Sequence, residues 1–128
     1  MRQLARFEPQ AYALLRMVCG FLFFMHGVQK LFGLPVPLGL PSLPPQLLVG
    51  ACIEFSCGLL VMIGWHTRLA AFLASGTMAV AYLQFHWKFA FDAHFFPGVN
   101  QGELAVVYCF VFLLIATKGS GVWAMKKD

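Results

Sequence analysis

Between Lys30 and Arg68 the chain carries one charged side chain, Glu54. It sits inside "QLLVGACIEFSCGLLVMIG" (46–64), an apolar run long enough to cross the hydrocarbon core of a bilayer as a helix. A carboxylate at that depth costs about 2.5–3.5 kcal/mol when it faces lipid. It therefore faces the interior of a helical assembly, takes up a proton, or pairs with a cation. Few folds meet those terms.

Three further segments have the same character: "AYALLRMVCGFLFFMHGVQKLF" (11–32), a stretch from about Arg68 to Trp87, and one from about Gly102 to Thr117. Helices of about 17 to 22 residues span roughly 25 to 33 Å. The chain is 60% hydrophobic and 11% charged, with 14 Phe. Soluble domains carry about 25% charged residues, so a water-soluble globule is excluded. The expected fold class is all-α: an integral membrane four-helix bundle in one domain over 1–128, with helices at 11–32, 46–64, 68–87 and 102–117.

The connectors agree with this division. "GLPVPLGLPSLPP" (33–45) holds five of the seven prolines and cannot continue a helix. "GWHT" (64–67) is a tight turn. "FHWKFAFDAHFFPGVNQ" (85–101) is aromatic with scattered polar groups, the composition of an interfacial segment. "MRQLARFEPQ" lacks a signal peptide's pattern, so the N-terminus is expected to be retained.

Basic residues give an orientation. Arg2, Arg6, Arg68, Lys118, Lys126 and Lys127 fall on one side of the four segments, and Lys30 and Lys88 on the other. The positive-inside rule then puts both termini in the cytoplasm. This accounts for the formal charge of +4 without nucleic acid as a partner. Gly50, Glu54 and Gly58 recur one turn apart, and Ala70, Ala71, Ala74, Ser75 and Ala79 crowd the third segment. Close helix contact explains both sets.

With that orientation, His26 lies about 9 Å and Glu54 about 12 Å from the outer end of their helices. Lys30, Gln84, His86 and Glu103 fall nearer the outer rim. His26 and Lys30 are one turn apart on one helical face, and are expected to meet Glu54 and Glu103 in one pocket open toward the periplasmic face. Intramembrane ionisable groups are functional candidates, and Glu54, Lys30 and His26 are the expected proton-handling residues. An internal clamp that only fixes helix packing is the alternative. Glu103, in a first helical turn, also suits the helix dipole, with Asn100 as its expected cap.

Arg16, about 8 Å from the cytoplasmic edge, is expected to snorkel or to bind helix-end carbonyls. His26, Glu54, His86, His94 and Glu103 are ligand types, but none has metal-motif spacing, and no metal site is expected. Cys19, Cys52, Cys57 and Cys109 lie in apolar segments without CxxC spacing and read as small hydrophobes. A redox role would need two of them to meet across helices.

Three stretches in order, "LLRMVCGFLFFMHGVQKLFG" (14–33), "VGACIEFSCGLLVMIGWHTRLAA" (49–71) and "FFPGVNQGELAVVYCFVFLLIATKGSGVWAM" (95–125), resemble the DoxX family of small bacterial inner-membrane proteins. Arg16, Gly27 and Lys30 match its first-helix pattern, Glu54 its acidic second-helix residue, and Asn100, Gly102 and Glu103 its N-x-G-E. Gly119 and Gly121 match its terminal G-x-G, whereas the ending "WAMKKD" departs from it. The resemblance implies a four-helix membrane fold. It also implies a link to quinone, sulfur or redox-stress chemistry, since the family takes its name from a thiosulfate:quinone oxidoreductase subunit. Glu103, Asn100, Arg16 and His86 become the expected substrate-binding residues.

The function expected is therefore a quinone- or thiol-linked membrane redox subunit of sulfur metabolism or oxidative-stress defence, with quinone as the candidate cofactor. Its expected partners are the lipid bilayer, a redox subunit and further copies of itself. A non-enzymatic accessory subunit is the alternative, and a small transporter a weaker one, because the chain has no repeat or broken span.

Overall fold

The computed structural model describes residues 2–128, with side chains from Gln3 onward; the Arg2 side chain, counted above for orientation, lies outside the described residues. The described residues contain helices and no strand. A short turn, α1 (Arg2–Ala5), precedes α2 (Glu8–Phe32), α3 (Pro45–Ile63) and α4 (Thr67–Ala81). A π-helical segment, Tyr82–Trp87, extends α4. A 3-10 turn (Ala93–Phe95) and α5 (Pro97–Asn100) then lead into α6 (Glu103–Lys118).

Three helices are long and apolar enough to cross a membrane: Glu8–Phe32, Pro45–Ile63 and Thr67–Trp87. α6 is shorter, at 16 residues. Left-handed Gly33 and Gly64 end α2 and α3, where the backbone must take a positive φ that glycine adopts without steric cost.

α2 and α3 run antiparallel with their backbones touching. A Cβ on Gly27 would stand 2.4 Å from the Phe55 nitrogen, and one on Gly58 would stand 2.4 Å from the Phe24 nitrogen. Glycine alone permits that approach. Gly50, expected in the same packing stripe, does not share it: nothing lies within 4 Å of where its Cβ would be. Gly50 lies about a turn from Glu54 and faces open space rather than α2, while its neighbour Ala51 is fully buried. On α4, Ala70, Ala71 and Ala74 are fully buried, and Ser75 Oγ donates to the Cys109 carbonyl of α6 at 2.8 Å. Phe23, Tyr108 and Phe112 join α2 to α6, with ring centroids 4.8 Å apart for Phe23–Phe112.

Two arginines close the end that carries both termini. Arg16, 0% exposed, donates through Nη1 to the Val61 and Met62 carbonyls at 2.7 and 2.9 Å. Its Nη2 reaches the Trp123 carbonyl at 2.9 Å. Arg68 likewise donates to the Ala116 and Thr117 carbonyls of α6. The last carbonyls of a helix have no partner within it, and a guanidinium fork can serve several at once. The Met125 and Lys126 amides bond the Ile63 and Gly64 carbonyls, laying the C-terminal segment over the end of α3.

Candidate functional site

At the opposite end, α2, α3, α4 and its π segment, and the start of α6 enclose an open cavity of about 730 Å³. Its wall is mostly apolar, with Phe23, Ile53, Phe72 and Leu104 among the lining residues. Lys30, Glu54, His26 and His86 supply its ionisable groups.

Lys30 Nζ lies 2.6 Å from Glu54 Oε1. Glu54 is 4% exposed, whereas the Lys30 side chain is 26% exposed. Of the three readings open for a carboxylate in an apolar helix, the structure has the ion pair. The second oxygen, Glu54 Oε2, is buried without a hydrogen-bond partner. A buried acceptor in that condition is costly. His26 stands one turn before Lys30 on the same wall.

His86 reaches the cavity from the π segment, its Nδ1 3.3 Å from the Asn100 carbonyl. π turns carry no sequence signature but recur at functional sites. Gln46 lines the rim and hydrogen-bonds Gln84 across it.

The other residues expected at the site lie elsewhere. Arg16 stands 14 residues before Lys30 on α2, about 21 Å away along the axis. All its hydrogen bonds go to carbonyls of α3 and the C-terminal segment. It holds helix-end carbonyls, as its depth predicts, and does not line the cavity. Glu103 does not line the cavity; it is exposed in the first turn of α6, where the helix dipole favours it. Asn100 also lies behind the wall. Its Oδ1 accepts from the Gly102 amide at 2.8 Å, and its Nδ2 donates to the His94 carbonyl at 2.9 Å. It forms a turn ahead of α6 rather than the cap itself, which is Gly102.

Tyr108, Gly50 and Gly76 line the cavity and were not singled out for it, since an aromatic and two glycines in apolar helices read as packing residues. Among the described residues, no three His, Cys, Asp or Glu side chains gather as a metal site would require. The four cysteines are free thiols.

A DoxX family model matches residues 11–87, from α2 through the π segment. The chain belongs to the DoxX family. An uncharacterized protein of Haemophilus influenzae is 36% identical over 98% of this chain and 95% of its own length. No solved structure matches. The family match and the three long apolar helices make this a membrane protein.

Proposed function

We propose that this DoxX protein is a quinone-linked redox subunit of a bacterial inner membrane, spanning it four times with both termini in the cytoplasm. The observation that carries this reading is the half-buried Lys30–Glu54 pair at one end of an apolar cavity, with Glu54 Oε2 left without a partner. A volume of about 730 Å³ falls in the range of small-molecule sites. The mixture of apolar wall and few polar groups suits a ring with oxygen substituents.

A bound quinone supplies the acceptor for two electrons, which a partner subunit delivers. Lys30 keeps protons free to donate to a carbonyl while it pairs with Glu54. Glu54 Oε2 holds and passes a proton, and His26 and His86, at the wall, link it to the rim. The cavity beside the pair supports this reading over an inert clamp, which needs none.

The test is purification in native lipid followed by extraction and analysis of retained quinone, together with thermal unfolding with and without added quinone. Retained quinone and a raised unfolding temperature support the reading. Neither being observed would end it.

A second reading, an accessory subunit without chemistry of its own, is favoured by the exposed aromatic loop around Trp87, where Phe91 is 82% exposed. Affinity capture of one stoichiometric membrane partner, lost on Phe91→Ser and retained by Glu54→Gln, would support it over the first.

A further inference from the structure

We propose that Gly50 and Gly76 hold open a lipid-facing slot between α3 and α4, which seats the tail of a neutral hydroxyl-bearing amphiphile whose hydroxyl donates to Glu54 Oε2. The inference rests on reading the cavity as a ligand site. It adds the route of entry and the chemical form of the ligand.

The glycines are the first observation. Glycine is the weakest helix former after proline, so one inside a helix calls for a reason. Gly20, Gly27 and Gly58 have one, since a Cβ on each would meet neighbouring backbone at 2.4 to 2.5 Å. Gly50 and Gly76 have no such neighbour: nothing lies within 4 Å of a Cβ on either. Both line the cavity. Packing does not account for them, whereas an occupant lying along them does.

The mouth of the slot faces the bilayer. Val49 on α3, and Leu73 and Val80 on α4, line the cavity and are also exposed. These are the side chains that lipid touches in a membrane helix. A ligand dissolved in the membrane can slide between α3 and α4 without passing through water.

Glu54 Oε2 is the second and independent observation. It sits one turn along α3 from Gly50, is buried, and has no partner. A carboxylate only accepts hydrogen bonds, so a complementary head group must donate one. Lys30 already balances the charge at 2.6 Å. A cationic head would meet Lys30 unfavourably, and an anionic head would meet Glu54. A neutral hydroxyl satisfies both. Phenols with an apolar tail have this form, and a quinol is the redox-active member of that class.

The test uses the full chain in phosphatidylcholine nanodiscs and a decylphenol carrying a diazirine in its tail. After irradiation, labelled peptides should map to the segments around Gly50 and Gly76. Labelling should fall about tenfold in the Gly50→Leu/Gly76→Leu variant, and also with a decylbenzene probe that lacks the hydroxyl. Unlabelled decylphenol should compete, and phenol without a tail should not. A Cβ at either position meets no neighbour and the side chains extend into the open cavity, so the variant's unfolding temperature should not fall, which separates a plugged slot from a damaged fold.

Labelling spread evenly over the exposed faces, or unchanged by the two leucines, would overturn the proposal. If quinone stabilises the protein while the leucines leave labelling unchanged, the slot is wrong and the redox reading stands. If the decylphenol labels the slot and no quinone is retained, the redox reading falls and the slot stands.

Discussion

Lys30, in the last turn of α2, closes to 2.6 Å on Glu54, ten residues into α3, and leaves the second oxygen of that carboxylate unused. The pair is unequal, because Glu54 is enclosed and Lys30 retains a route to solvent. Removing either partner of a buried pair costs more than the pair itself contributes, since the survivor is left uncompensated. Lys30→Met, which strands the carboxylate, should destabilise by about 2–4 kcal/mol, less than a fully enclosed pair because of partial exposure. Glu54→Gln should cost less, since Lys30 can swing outward. Unfolding of both variants in the same detergent checks the order, and the reverse order would contradict the assigned burial.

Arg16 holds the C-terminal segment without touching the cavity. Arg16→Met should raise amide exchange at Met125 and Lys126, whose N–H groups bond α3 carbonyls. Ligand binding at the far cavity should change little in the fraction that folds. Hydrogen exchange read by mass spectrometry distinguishes this from a general loss of structure, which would raise exchange in the middle of α6 equally.

Two glycines on the same helix should respond in opposite directions to alanine. Gly58→Ala drives a methyl group to 2.4 Å from the Phe24 nitrogen and should cost at least about 1–3 kcal/mol as α2 and α3 separate. Gly50→Ala meets nothing and should stabilise by about 0.5–1 kcal/mol through helix propensity. Parallel thermal unfolding of the two variants decides the matter.

Lys88 is exposed, with a φ of 54° just after the π segment. Lys88→Ala should alter stability by no more than about 0.5 kcal/mol. Lys88→Gly should raise it, because the positive φ no longer opposes a side chain.

Asp92 lies in the loop outside the long helices. The His94 amide and ring hold its carboxyl below the usual carboxylate range. A depressed folded value means that its contribution is present at neutral pH and is lost as pH falls through that value. The Asp92–His94 turn should therefore loosen only in acid. Asp92→Asn should remove the acid dependence of the His94 amide shift measured by NMR.

The long helices were readable because apolar length and proline placement mark where a chain enters and leaves a bilayer. The Lys30–Glu54 contact was readable for a related reason: a lone carboxylate in an apolar helix needs a cation, and one lay at a similar depth. Depth does not fix the direction in which a side chain points. Glu103 lies near the level of Lys30 but stands on the outside of α6. Gly50 and Gly58 occupy equivalent turns of α3, yet only Gly58 meets α2. The π segment that brings His86 to the cavity depends on how α4 ends against the aromatic loop, and no residue pattern announces it.

Arg16 also constrains the order of assembly. It enters the membrane in the first long helix, yet two of its four carbonyl partners belong to Val122 and Trp123, made more than a hundred residues later. While the chain is growing, that guanidinium has α3 as its only partner. The helices can insert one after another, but the end that carries both termini stays open until the final stretch folds back. A stretch made after every long helix is the latch on the first of them.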